Sequence, residues 1–291
     1  PMPLDPQAAA FLSRGGGARP RAPLKVQDMD AVRPDGGTVP VRVYTPASDE
    51  PQAALLYFHG GGFTAGSIDG GEMRCRVLAD WAGVVVVNVG YRLAPANPFP
   101  AAVDDAYGTT KWVHDNATAL GVDPARIAVG GDSAGGNLAA VVTHLAKANG
   151  LPLAFQYLVY PATDQLADTR SRRDYGDGSY GLRTNGGGNS PYLNGHDPAD
   201  PLCSPLRNTD FSGLPSAFIA TAEFDPLRDE AELYAYQLRA AGVPVELKRY
   251  DGMIHAFASG FRDFDAAVEL SLDSARVLQR ALAPKAASAA R

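Results

Sequence analysis

Cysteine is scarce in this sequence: only Cys75 and Cys203 occur among 291 residues, far apart and outside any C-x-x-C pair. Two such thiols predict neither a disulfide framework nor a zinc site. No H-E-x-x-H stretch or other convincing set of metal ligands is present either. We therefore expect no metal and no organic cofactor, and two free thiols suited to the reducing cytoplasm.

The sequence also lacks long apolar runs and an excess of positive charge. No stretch approaches the ~18 apolar residues of a membrane span, and residues 1–24 lack the apolar core of a signal peptide. The formal net charge is −6, from 26 Lys and Arg against 32 Asp and Glu, which argues against nucleic acid as a partner. We expect a cytoplasmic protein without a membrane span.

Regular repeats of roughly 20–50 residues are absent as well, which excludes solenoids and propellers. Instead, short apolar runs alternate with segments of helical period, a pattern typical of an α/β domain with a mainly parallel sheet. The first two runs, joined at Asp35-Gly36-Gly37, predict an antiparallel hairpin. Eight strands are predicted, at 26–32, 38–44, 54–58, 84–89, 127–130, 155–160, 217–222 and 245–250. Helices are predicted at about 72–82, 101–116, 134–148, 228–241 and 264–282.

Two segments fall outside this alternation. Residues 1–24 predict a short N-terminal cap segment, with one helix that begins at Asp5 and a glycine-rich linker. Residues from about 165 to 212 are irregular and carry seven glycines between Gly176 and Gly195. A loop of this length inside a compact domain usually covers a functional site or is mobile. We therefore predict a cap segment, 1–24, and one large domain, 25–291, with a glycine-rich cap insertion at about 165–212.

The stretch Gly131-Asp132-Ser133-Ala134-Gly135 matches G-x-S-x-G, and it follows a predicted strand and opens a predicted helix. In that context, tiny residues two positions either side permit a sharp, strained turn that exposes the serine Oγ above the sheet. The N–H groups at the start of the helix then face the place where an oxyanion would form. The pattern indicates a nucleophile at Ser133; the alternative is a serine that only caps the helix.

A second glycine-rich stretch, His59-Gly60-Gly61-Gly62-Phe63, follows the predicted strand 54–58. A loop of the HGGG type supplies the other N–H donors of a hydrolase oxyanion hole, because glycine lets backbone N–H groups point inward. Residues 60–65 also fit the dinucleotide fingerprint G-x-G-x-x-A. That alternative is weaker, because the strand 84–89 does not end in the carboxylate that would bind a ribose.

A serine nucleophile needs a base and a carboxylate that orients this base. His255 follows the last predicted strand directly, at the carboxyl end where open α/β sheets place their sites. Asp225 follows the strand 217–222 and is fixed by Pro226, so it is a better candidate for the acid than Glu223 or Asp229. The other histidines lie in predicted helices, in the glycine loop or in the irregular segment, at positions 114, 144, 59 and 196.

These motifs resemble those of the bacterial hormone-sensitive-lipase family of α/β-hydrolase esterases. The matching stretches span about residues 38–283: HGGGF at 59–63, YRLAP at 91–95, PFPAAVDDAY at 98–107, GDSAGGN at 131–137, YPATD at 160–164, SPL at 204–206, EFDPLRDE at 223–230 and GMIHAF at 252–257. The resemblance implies an α/β-hydrolase fold with Ser133 as nucleophile, His255 as base and Asp225 as acid. It also implies an oxyanion hole formed by the N–H groups of Gly61, Gly62 and Ala134.

By this resemblance the protein is a serine carboxylesterase that hydrolyses short- to medium-chain carboxylic esters through an acyl-enzyme. Its expected partner is a small-molecule ester. An amidase or peptidase with the same three residues, or a non-catalytic hydrolase-like binding protein, is the alternative. A homodimer formed through the sheet edge and a monomer both remain open.

The sequence departs from the family pattern in two places. Family members usually have a longer N-terminal cap of two helices, so a reduced cap is expected here. Residues 184–190, Thr-Asn-Gly-Gly-Gly-Asn-Ser, are poorly suited to form the helix that usually covers the acyl pocket. We therefore expect an open or polar pocket.

Overall fold

The computed structural model describes residues 24–184, 190–260 and 264–284. The predicted helix at Asp5, its glycine linker and the central glycines of the 184–190 stretch lie outside the described residues. Within them the strands are β1 (Lys25–Val32), β2 (Thr38–Thr45), β3 (Gln52–Phe58), β4 (Val85–Val89), β5 (Val122–Asp132), β6 (Phe155–Val159), β7 (Ser216–Phe224) and β8 (Val245–Ile254). The helices are α1 (Ile68–Ala82), α2 (Ala101–Asp115), α3 (Ala134–Ala148), α4 (Arg170–Tyr175), α5 (Arg228–Ala240) and α6 (Asp265–Ala281).

The eight strands form one sheet in the order β1-β2-β4-β3-β5-β6-β7-β8. The first hairpin is antiparallel, as predicted, and β2 also pairs antiparallel with β4. All the other pairs are parallel, because a helix or a long connection returns the chain to the same end of the sheet. The predicted fold class, a mainly parallel eight-stranded α/β-hydrolase sheet flanked by helices, is confirmed.

Helices cover both faces of the sheet, which is why its central strands are apolar at nearly every position. Along β3, Leu56 and Phe58 face one side and pack in the same core cluster as residues of α2, α3 and α5. Leu55 and Tyr57 face the other side and pack with residues of α1 and α6. No helix in the described ranges is both long and apolar enough to cross a membrane.

Parallel strands place their carboxyl ends at one edge, and this arrangement assembles the site. The segments that follow β3, β5, β7 and β8 begin at His59, Ser133, Asp225 and His255. Four stretches that are distant in sequence therefore meet above the same end of the sheet.

β8 is an edge strand, so its outer side has no strand neighbour within the described sheet.

Several elements differ from the sequence-based prediction. β5 begins at Val122 rather than at 127, because Val122 pairs with Gln52 before a register shift, and β8 continues to Ile254 rather than ending at 250. α1 begins at Ile68 rather than near position 72, because Ser67 caps it with its Oγ accepting from the Gly70 N–H at 3.1 Å. The irregular segment contains the short helix α4, capped by Thr169, and a 3₁₀ turn at Pro205–Arg207. The poor helix propensity of Gly70 and Gly71 conceals the first turn of α1 in the sequence.

Candidate active site

Ser133 stands at a strained turn between β5 and α3, with φ 54° and ψ −116°. A Cβ on Gly131 would lie 2.3 Å from the Phe58 carbonyl oxygen, and one on Gly135 would lie 1.9 Å from the same atom. The turn therefore requires glycine on both sides of the serine. Ser133 occupies the N-cap position, but its side chain makes no capping hydrogen bond, so the helix-capping alternative is wrong.

The Ser133 hydroxyl is instead in contact with His255. The distance between Ser133 Oγ and His255 Nε2 is 2.9 Å, and His255 Nδ1 lies 2.8 Å from Asp225 Oδ2. Both His255 and Asp225 are buried, and Asp225 also accepts from the Leu227 N–H through Oδ1 at 2.8 Å. With Nδ1–H donating to Asp225, the free lone pair of Nε2 faces the serine proton.

The two other acidic candidates have different contacts. Glu223 accepts from the Gly252 N–H at 2.7 Å and thereby ties the end of β7 to the end of β8. Asp229 accepts from the Ser171 N–H at 2.8 Å and pairs with Arg228. Of the three carboxylates, Asp225 is the one in contact with His255.

The remaining histidines lie away from this hydrogen-bond chain. His59 Nδ1 donates to the Gly60 carbonyl at 2.7 Å, the ring stacks on Tyr91, and burial lowers the pKa of His59. His144 contacts Tyr234 and Phe211, which belong to the core cluster that contains Leu56 and Phe58. His114 lies in the last turn of α2, and His196 pairs with an aspartate four residues on.

The loop after β3 presents backbone N–H groups at the site. Gly61 and Gly62 have φ of 123° and 60°, a region that glycine adopts without strain. No acceptor among the described residues takes up their N–H groups or that of Ala134 at the start of α3. Gly61 and Gly62 line the same cavity as Ser133, and Ala134 is the adjacent residue in the chain.

Asp132 holds this loop against the serine turn. Its Oδ1 accepts from the Gly60 N–H at 3.1 Å and from the Tyr57 hydroxyl at 2.7 Å. The Tyr91 hydroxyl donates to the His59 carbonyl at 2.7 Å from the other side. Residues 60–65 thus belong to the serine site rather than to a dinucleotide site. Asp132 is a positioning residue, and the sequence does not reveal this role because its place in the G-x-S-x-G motif accepts any residue.

A cavity of about 520 Å³ adjoins Ser133 and His255. This volume lies within the usual range of small-molecule sites. Leu182 brings the irregular 165–212 segment to its wall, and Met73 and Val77 contribute apolar surface from α1. Arg74 and Tyr160 also line it. Sequence reasoning missed both, because a helical position or a strand end does not reveal which tertiary cavity it faces.

Fold and site together define a hydrolase of the α/β class. A family model described as the alpha/beta hydrolase fold matches residues 55–259. The chain is 42% identical to the carboxylic ester hydrolase LipN of Mycobacterium tuberculosis over 252 residues, which are 84% of this chain and 67% of LipN. It is equally similar, at 42% over 256 residues, to the carboxylesterase NlhH of the same organism, with 85% of this chain and 80% of NlhH covered.

A solved esterase from Pyrobaculum calidifontis superposes with a TM-score of 0.83 at 39% identity, covering 95% of this chain and 91% of that one. The chain belongs to the hormone-sensitive-lipase family of α/β hydrolases, as the sequence motifs predict.

Proposed function

We propose that this protein is a serine carboxylesterase that acts on short- to medium-chain esters through an acyl-enzyme. Ser133 Oγ attacks the ester carbonyl while His255 Nε2 accepts the hydroxyl proton. The tetrahedral intermediate collapses as His255 returns that proton to the departing alcohol. Water then attacks the acyl-serine by the same route and releases the acid.

The observation that supports these roles is the unbroken chain of hydrogen bonds from Ser133 Oγ through the His255 ring to Asp225. Asp225 holds the imidazole in the tautomer that leaves Nε2 free, and it stabilises the imidazolium that forms during the attack. Its complete burial excludes water from that hydrogen bond.

The N–H groups of Gly61, Gly62 and Ala134 are proposed to receive the oxyanion. Backbone donors that are already oriented cost no reorganisation during reaction, and each is worth on the order of 3 kcal/mol of transition-state stabilisation. Asp132 supports them indirectly, because it holds the Gly60 N–H next to the turn that carries Ser133.

Two alternatives use the same scaffold. An amidase or peptidase would differ in how the leaving amine is held, and a hydrolase-like binding protein would bind without turnover. The named carboxylesterase relatives favour the esterase. The intact serine, histidine and aspartate contacts argue against a non-catalytic protein.

The test is hydrolysis of p-nitrophenyl esters from acetate to palmitate by the wild type and by Ser133→Ala. We expect a short-chain optimum and a loss of kcat approaching ~10⁶-fold in the variant. Ser259→Ala is the matched control, because Ser259 is an exposed serine that lines the same cavity, whereas the side-chain hydrogen bonds of His255 go to Asp225 and Ser133. Turnover that survives Ser133→Ala, or none in either protein, would remove Ser133 from this role.

A cytoplasmic location and the assembly state complete the proposal. Cys75 and Cys203 are free and buried, which suits a reducing compartment, and cell fractionation tests the location.

For assembly, the outer edge of β8 offers a strand for pairing with a second copy, whereas its charged side chains, such as Lys248 and Arg249, oppose such pairing. Light scattering distinguishes the homodimer from the monomer.

A further inference from the structure

Arg74 brings a positive charge into the cavity that adjoins Ser133. It lies in the middle of α1, and its side chain lines this cavity together with Gly70, Gly71 and Tyr160. Its Nη2 atom is buried and has no hydrogen-bond partner among the described residues. Its Nη1 atom reaches Ser271 Oγ at 3.5 Å, the outer limit for a hydrogen bond.

No carboxylate in the described part of the chain forms an ion pair with this guanidinium. Asp132 interacts electrostatically with Arg74, but its Oδ1 accepts from Tyr57 and Gly60, and it does not come within ion-pair distance of the guanidinium. Arg76 lies two residues after Arg74 on the same helix. Unlike Arg74, it is exposed and forms an ion pair with Glu72 at 2.7 Å. Arginine stays protonated in proteins. The charge of Asp132 acts favourably on Arg74, but Nη2 lacks a hydrogen-bond acceptor among the described residues, a cost that a bound anion would remove.

Two further features make room for such an anion. Tyr160 lines the same cavity, and its hydroxyl is buried without a hydrogen-bond partner in the described part of the chain. Gly70 and Gly71 lie in the first turn of α1, where glycine is unfavourable, and a Cβ on Gly70 would meet only Ser67 Oγ at 3.6 Å. This cavity is therefore bordered by a guanidinium nitrogen and a hydroxyl that lack hydrogen-bond partners among residues 24–184, 190–260 and 264–284, and by two glycines without side chains.

We propose that Arg74 makes this esterase selective for esters that carry a second, free carboxylate. The guanidinium binds that carboxylate through paired N–H donors, and Tyr160 donates a further hydrogen bond. The carboxylate belongs to the acyl part, as in a half-ester of a dicarboxylic acid, or to the alcohol part, as in an acylated hydroxy acid. This inference rests on the proposed function, since it names the substrate class of the same site.

The test compares charged and neutral esters of matched length. For the acyl arm these are the monoethyl esters of succinate to suberate against ethyl esters of the corresponding monocarboxylic acids. For the alcohol arm they are acetates of ω-hydroxy acids against alkyl acetates. Each hydrolysis releases a proton, so a pH-stat gives kcat/KM for all of them. The arm that shows the preference identifies the part of the substrate that carries the carboxylate.

We expect the wild type to favour the charged member of at least one pair by about tenfold or more, the worth of hydrogen bonds to a charged group. Arg74→Met should abolish that preference, because it should lower kcat/KM of the charged ester much more than kcat/KM of the neutral ester. Arg74→Lys should retain part of it, since the charge is kept and the paired geometry is lost. Arg76→Met, on the exposed side of α1, should behave as the wild type.

A wild type without preference for the charged ester in either arm would overturn the proposal. An equal loss for charged and neutral esters in Arg74→Met would do the same, because it would make Arg74 a structural residue that compensates Asp132. If no ester is hydrolysed at all, the proposed function fails, and calorimetry with the free dicarboxylates succinate to suberate then decides. Binding to the wild type that disappears in Arg74→Met supports the anion site, and absence of binding contradicts it.

Discussion

Single residues at this site could be found from the sequence when their position in an α/β unit dictates their place. Ser133, Asp225 and His255 each follow a strand directly, and the common carboxyl edge of the sheet brings them together. Asp132, Tyr160 and Arg74 could not be found in this way. Their roles depend on side-chain packing between elements, as for Arg74 and Ser271, which are 197 positions apart.

His144 makes the stability of the protein depend on pH. Burial, together with the nearby charge of Lys147, lowers the pKa of His144 to about 4. The unfolded chain binds this proton near pH 6.5. The stability linked to neutral His144 is therefore complete above pH 6.5 and is lost as the pH falls towards 4, by a few kcal/mol at most.

We expect His144→Gln, which cannot titrate, to lose less stability than the wild type between pH 7.5 and 4.5. Urea unfolding at the two pH values measures the difference, and carboxylates common to both proteins cancel in the comparison. His114→Gln, at the partly exposed end of α2, serves as the control histidine. Equal losses in His144→Gln and the wild type would contradict the assignment.

Among the elements, sequence periodicity located the strands and the long helices. The structure begins and ends α3 at the residues that the sequence predicts. Helix ends and short helices were harder to predict. α1 begins four residues before its predicted start, and α4 was not predicted, because six residues are too few to show a helical period. Local capping by Ser67 and Thr169 decides both.

Glycines in two helices should respond in opposite ways to the same substitution. Gly70→Ala in α1 adds a methyl group into free space at a helical position, so we expect the free energy of unfolding to rise by about 0.5–1 kcal/mol. Gly135→Ala in α3 would force a Cβ against the Phe58 carbonyl. That close contact should lower the free energy of unfolding by about 1–3 kcal/mol.

Urea unfolding of both variants, with the wild type, measures these changes. Destabilisation by Gly70→Ala would mean that the cavity wall does not tolerate a methyl group. An unchanged Gly135→Ala would mean that the loop after β3 can move away from the serine turn.

For the whole molecule, alternating periods and turn signals were sufficient to predict an eight-stranded, mainly parallel sheet. The residues that line the cavity could not be predicted in this way, because its wall is assembled from α1, α6 and the segments after β3, β5, β6 and β8. The described members of both core clusters lie between Leu24 and Leu282. The division into a cap segment, 1–24, and a catalytic domain, 25–291, remains a prediction.

Deletion of residues 1–23 tests that division. If they form a cap segment, the shortened chain should keep its free energy of unfolding within about 1 kcal/mol, because every described member of both core clusters remains in it. KM for the longer p-nitrophenyl esters should then change more than kcat, since a cap contacts substrate and leaves the Ser133 to Asp225 chain intact. Failure of the shortened chain to fold would contradict the predicted boundary.

The two buried thiols make this protein suitable for site-specific labelling. Burial raises the pKa of Cys75 well above its usual value and that of Cys203 to about 11, and only the thiolate is alkylated readily. A cysteine introduced at the exposed Met73, on the cavity rim, would therefore be alkylated well before either native thiol. A fluorophore attached there would report ligand entry next to Ser133 without removal of a single native cysteine.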